Sequence, residues 1–118
     1  MSNHRTRVWI AAGVVFAGLV AWAGAGQISA GLAHQRLGDA TFRQSASPDE
    51  LRRTAERSLA YRFGDPHKAL LLLEACGTRS SAPYLRAFLE RKPSGESHSC
   101  KWGHAEDALA RATASDAE

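Results

Sequence analysis

The sequence predicts an all-α fold, with a single N-terminal transmembrane helix followed by a small bundle of about four helices. An uncharged apolar run from Val8 to Gly26 has about the 20 residues that a membrane-spanning helix needs. Behind it, apolar residues recur every three or four positions, as in amphipathic helices. Serine, aspartate and proline precede these segments and glycine follows two of them, as is typical of helix starts and ends.

The apolar run has two interpretations. Trp9 and Trp22 near its edges are typical of interfacial residues of a retained helix, and the run fades gradually, so we expect the helix to continue to about Leu37. The alternative is a cleaved signal peptide, because Ala21-Trp22-Ala23 and Ala23-Gly24-Ala25 fit a small-x-small cleavage pattern. The length of the run favours the retained anchor, since a signal peptide usually has an apolar region of only about 7–15 residues.

The basic residues near the run indicate its orientation. Arg5, Arg7 and the amino terminus precede it, whereas Arg36 and Arg43 follow it. Basic flanks tend to stay in the cytoplasm, so the residues after Gly26 are expected outside it. The alternative location is secretion after signal cleavage.

Small residues recur at every fourth position of the apolar run, which gathers them on one slowly drifting helix face. Such faces allow two helices to approach closely in lipid. The sequence therefore predicts a helix-packing row, although a run so rich in Ala and Gly produces this spacing easily. Its members are Gly13, Ala17, Ala21 and Ala25, with Ser29 one turn further on.

The chain of 118 residues has room for one small domain behind the anchor. We expect a tail and transmembrane helix over 1–34, a linker over 35–47, a helical domain over 48–114 and a tail over 115–118. The formal net charge is +3, of which Arg5 and Arg7 supply two, so the domain itself is almost neutral. This balance argues against a nucleic-acid partner.

The first domain helix is expected to begin after the N-cap Ser47, with Pro48 in its first turn. It should run to about Phe63 and stop at Gly64. Its expected buried stripe repeats every four residues and comprises Leu51, Ala55, Leu59 and Phe63.

The second helix should start at Asp65 and Pro66 and end at Gly77. Its Leu70–Leu73 segment is apolar almost all round, which predicts a position between other helices, with Leu72 buried. A third helix should follow Pro83 and end near Lys92. A fourth should begin at about Ser99 or Cys100 and bury Trp102, Ala105, Leu109 and Ala112.

The order of these helices resembles a HEAT-like repeat over roughly Pro66 to Thr113. The stretch ALLLLEACG, a short turn and APYLRAFL look like the two helices of one unit, and AEDALARA looks like the first helix of the next. The longer polar loop from Lys92 to Ser99 departs from the family pattern. The resemblance implies a helical surface for binding other proteins, without catalytic groups. Such arrays need about three units to be stable alone, so this chain either forms a self-contained bundle or completes its core against a partner. We favour the bundle, because the first domain helix can cover the second.

One cluster of residues has ligand chemistry. Cys100 and His104 are one helical turn apart and His98 is nearby, so they are weak candidates for a zinc or copper site, with His67, Cys76 or water as the fourth ligand. The simpler interpretation makes them loop and surface residues. A Cys76–Cys100 disulfide is disfavoured, since parallel helices would hold the two residues far apart.

No phosphate-binding loop, nucleophile motif or paired-carboxylate motif occurs in the sequence. We therefore predict a membrane-anchored protein-interaction module or accessory subunit, without catalysis or a cofactor, whose partners are the membrane and an unidentified protein. The alternative is a secreted or anchored metal- or cofactor-handling helical protein.

Overall fold

The computed structural model describes residues 2–93 and 100–114, and this part of the chain is helical throughout, without strands. One long helix leads into five short α-helices and a 3-10 turn. They are α1 (Ser2–Gly38), α2 (Ala40–Ser45), α3 (Pro48–Ser58), α4 (His67–Cys76), the 3-10 turn (Arg79–Ser81), α5 (Ala82–Glu90) and α6 (Cys100–Ala114).

Helix α1 belongs to two environments. Its apolar N-terminal part stands clear of the other helices, with 0% of its most apolar stretch buried, and it is long and apolar enough to cross a membrane. A signal sequence meets the same criteria of length and composition. Beyond Gln27, α1 packs against α3 and buries Ala30, Ala33 and Leu37. The same helix therefore forms both the exposed apolar segment over Val8 to Gly26, called the apolar rod below, and one side of the domain.

The segment over 35–47, expected to be a linker, is mostly helical. Helix α1 continues through it to Gly38, and α2 follows almost at once. Asp39 caps α2, since its carboxylate accepts a hydrogen bond from the amide of Thr41 at 3.0 Å. The short helix α2 turns the chain so that α3 runs back along α1.

Helix α3 starts as predicted but ends early. Ser47 accepts a hydrogen bond from the amide of Glu50, and Pro48 occupies the first turn. The expected continuation to Phe63 is wrong, because α3 ends at Ser58 and Phe63 is 81% exposed. The chain instead makes a tight turn after Leu59, and the Gln27 side chain of α1 bonds to the backbone of this turn.

The core lies where α4 and α6 meet α3 and α5. Leu70 and Leu73 of α4 are fully buried, but Leu72 is only half-buried and Leu71 is 42% exposed, so the expectation of a helix buried all round was wrong. One side of α4 remains open because α1, α3 and α6 cover only the other sides. The main cluster joins these leucines to Leu37, Ala55, Leu59, Ala69, Leu85, Phe88, Trp102, Ala105, Ala108 and Ala112.

Helices α4 and α6 run parallel to each other. The rings of His67 and His104 meet at 5.0 Å near the two helix starts. Further along, Arg111 donates a hydrogen bond to the carbonyl of Glu74, a residue 37 positions earlier, and His67 and His104 have this same spacing. Helix α6 buries Trp102, as predicted.

Candidate functional site

The end of the apolar rod is fastened to the domain by Gln27. Its Nε2 donates to the carbonyl of Ala60 at 2.9 Å, and its Oε1 accepts from the amide of Arg62 at 3.2 Å. The side-chain amide thus pairs with the turn as a backbone peptide would. Because Gln27 directly follows Gly26, the turn over 60–63 lies at the level where the apolar run ends.

Aromatic side chains cover α1 beside this turn. Tyr61 lies against Gly31, where a Cβ atom would come within 3.1 Å of the ring, so the close approach depends on glycine. The Tyr61 ring also contacts His34 at 5.3 Å and the edge of Phe63 at 5.8 Å between centroids. Phe63 therefore ends a short aromatic row and turns its ring to solvent.

A basic hollow of about 380 Å³ lies on the other side of Gln27. Arg91 at the end of α5 donates to the carbonyl of Leu59 at 2.9 Å and lies over the Phe88 ring. Partial burial lowers the pKa of the Arg91 guanidinium, and the nearby charge of Arg62 lowers it further. Two guanidinium groups therefore share this hollow, which Glu90 also lines.

An apolar cleft of about 310 Å³ separates α1 from α3. Ile28 and Leu32 line it and are 68% and 54% exposed. Ala25 and Ser29, the last small residues of the predicted packing row, lie in the same cleft, and Arg36 and Arg57 border it. The cleft begins at the end of the apolar rod and continues along the domain.

The remaining residues of the packing row, Gly13, Ala17 and Ala21, are exposed along the rod. A Cβ atom on Gly13 would have nothing within 4 Å. The described part of the chain therefore leaves this face open along its length.

The metal candidates are only partly described. His98 lies outside the described residues, Cys100 is exposed, and Nδ1 of His104 is 2.8 Å from Oε1 of Glu74. Within residues 2–93 and 100–114, no three His, Cys, Asp or Glu side chains are placed to hold a metal ion.

Cys76 and Cys100 are free thiols. The parallel register of α4 and α6 sets them roughly 20 Å apart along the helix axes, well beyond disulfide reach. Cys76 Sγ lies 3.0 Å from the Leu72 carbonyl, and burial raises the pKa of this thiol, an effect that the charges of Arg52 and Arg111 partly offset.

A buried carboxylate joins α3 to the 3-10 turn. Glu56 is 5% exposed, and its Oε1 accepts hydrogen bonds from the hydroxyls of Ser80 and Ser81 and from Nε of Arg52. Sequence reasoning missed this residue, since a glutamate in an arginine-rich helix reads as a surface position. Three donors meet at its Oε1, which gives this carboxylate a structural role in the domain.

Comparison of the chain with protein-family models, with curated proteins and with solved structures found no match.

Proposed function

We propose that this chain is a single-pass, membrane-anchored helical module that binds another membrane protein and has no catalysis of its own. The observation that carries the proposal is the continuity of α1, which is fully exposed in its apolar part and buried at Ala30, Ala33 and Leu37. An exposed apolar rod of this length is costly in water and stable in lipid.

The continuity of α1 also favours retention of the anchor over cleavage. Both small-x-small patterns, which end at Ala23 and Ala25, lie inside an unbroken helix that passes directly into the domain. Arg5 and Arg7 support a cytoplasmic N-terminus with the domain on the opposite side.

The binding surface in this proposal is the cleft between α1 and α3, and its occupant is the part of a partner's transmembrane helix that continues out of the membrane. Small residues at Ala25 and Ser29 permit close approach, and exposed Ile28 and Leu32 offer apolar area at the same place. Arg36 and Arg57 border the cleft, and their positive charges favour a partner helix that carries acidic residues where it continues out of the membrane.

We also propose a HEAT-like arrangement of α4, α5 and α6. The parallel register of α4 and α6 at a spacing of 37 residues supports it, because stacked helical repeats have periods of this size. Pro83 in the first turn of α5 fits the resemblance as well.

Site-specific photo-crosslinking in intact membranes tests the binding surface. A benzophenone amino acid in place of Leu32 should form an adduct with one membrane protein, and the same group in place of Asp107, an exposed residue of α6, should not. Ala25→Leu would fill the membrane end of the cleft and should abolish the adduct, and Arg57→Glu should weaken it.

Three outcomes would refute the proposed partner. They are an adduct with a second copy of this chain, an adduct with a water-soluble protein only, and equal adducts from both positions. The second copy would make the cleft a homodimer interface.

A further inference from the structure

We propose that the turn over 60–63, together with Arg91, is a lipid-contact surface that seats the domain on acidic phospholipid headgroups. The inference rests on the proposed retained anchor and names a second binding partner, separate from the protein partner of the cleft.

The position of the turn follows from the dimensions of the bilayer. Val8 to Gly26 matches the hydrocarbon thickness of about 30 Å, so Gln27 lies at its boundary. The headgroup layer adds about 5–7 Å on each side. Since Gln27 bonds directly to Ala60 and Arg62, the backbone of these two residues is held within this layer, and the Tyr61 ring lies further out, against Gly31 and His34.

The side chains of the turn have the chemistry of that layer. Phe63 is an aromatic ring with 81% of its surface exposed, next to the phenol of Tyr61. Tyrosine is enriched at the membrane interface, where its ring is apolar and its hydroxyl stays wet, and the exposed Phe63 ring extends the apolar area beside it. Because Phe63 packs on Tyr61, which lies against Gly31, the two rings lie at the outer edge of the headgroup layer.

The charges beside the turn favour acidic lipids. Arg62 is exposed, and Arg91 shares the hollow beside Gln27 with it. One N–H of Arg91 donates a hydrogen bond to the Leu59 carbonyl, and this bond orients the guanidinium within the hollow. Glu90 is the acidic residue of the hollow, so the cations outnumber it. Guanidinium groups bind phosphate oxygens in a planar, two-point manner.

Depth measurements on the full chain in nanodiscs test the seating. In a Cys76→Ser, Cys100→Ser background, a fluorophore on Phe63→Cys should be quenched by lipids that carry a nitroxide near the headgroup. A fluorophore on Gln44→Cys, at the far end of the domain, should not be quenched. Val15→Cys should respond to a nitroxide deep in the acyl chains.

The three labels separate two kinds of failure. If Val15 is quenched and Phe63 behaves like Gln44, the anchor stands and the lipid-contact surface is refuted. If Val15 is not quenched, the proposed anchor itself fails.

Lipid composition tests the headgroup assignment. Protein recovered from mixed phosphatidylcholine and phosphatidylglycerol nanodiscs should retain phosphatidylglycerol preferentially in native mass spectrometry. Arg62→Glu should reduce that preference about fivefold or more, and Arg43→Glu, a matched charge reversal on α2, should leave it unchanged. No preference in the wild-type protein, or equal losses in both variants, would refute the assignment.

Discussion

Single side chains determine how the long helix meets the domain, and Gln27 is the clearest case. Gln27→Ala removes both hydrogen bonds to the turn over 60–62, so the free energy of unfolding should fall by about 1–2 kcal/mol. Gln35→Ala, at an exposed position of the same helix, is the matched control and should have little effect. Chemical denaturation of the full chain in detergent measures both. Equal losses would mean that the Gln27 bonds contribute nothing specific.

Glu56 provides a second test at the residue scale. Glu56→Ala leaves the buried hydroxyl of Ser81 without its acceptor and removes one bond each from Ser80 and Arg52, and we expect a loss of about 1–3 kcal/mol. Asp107→Ala removes an exposed carboxylate from a helix interior and should change stability little. Thermal unfolding of the two variants compares them. A similar shift in both would show that the buried network is not needed.

The two thiols should differ in reactivity. Because burial raises the pKa of Cys76, less of its thiolate is present at a given pH, and its alkylation should be slower than that of exposed Cys100. The Cys76 rate should keep rising as the pH is raised above the ordinary thiol range, and denaturation should remove the difference. Mass spectrometry of each labelled cysteine gives the rates, and equal rates in the folded chain would contradict the burial of Cys76.

At the scale of elements, the side of α4 that faces the core decides stability. Leu73→Ala should cost about 2–5 kcal/mol, since Leu73 is fully buried. Leu71→Ala, two residues away and 42% exposed, should cost about 1 kcal/mol or less. Denaturant titration of both variants distinguishes them. If Leu71→Ala costs as much as Leu73→Ala, a further layer must cover the open side of α4.

Helix ends were predictable where local residues determine them and not where distant ones do. Ser47 and Pro48 start α3, and Gly77 ends α4, through contacts within one turn of the chain. The turn after the end of α3 at Ser58 bonds to Gln27, which is 33 residues from its partner Ala60. A contact between residues so far apart in the chain leaves no periodic pattern in the sequence from which it could be predicted.

The contribution of α1 to the core was visible in the sequence only in part. The expected continuation to about Leu37 agrees with the structure, where Ala30, Ala33 and Leu37 are buried. These three residues are spaced three and four positions apart, as on one face of a helix. Because they directly follow the long apolar run, the sequence does not show that they belong to the domain core. The basic hollow was not predicted, because Arg62 and Arg91 come together only in the folded chain.

At the scale of the whole molecule, the location of the protein depends on whether the apolar part of α1 is retained or cleaved. With the anchor retained, the membrane fraction should contain full-length protein that carbonate does not extract. N-terminal sequencing is the direct measurement, and a mature end at Gly24, Gly26 or beyond would show cleavage instead. Val15→Arg should impair membrane insertion by about 2.5–3.5 kcal/mol.

With the anchor retained, the unbroken course of α1 through Gln27 would make the chain behave as one rigid body from the membrane to the domain. With a pivot near mid-span, a tilt of about 20° would carry Gly38 sideways by roughly 11 Å. A thinner bilayer tilts a helix of fixed length, and a neighbour that leans on the span does the same. Each of these changes would rotate the domain by the same angle as the membrane span, because α1 is continuous between the span and the domain. Lipid thickness would then set the direction in which the domain points.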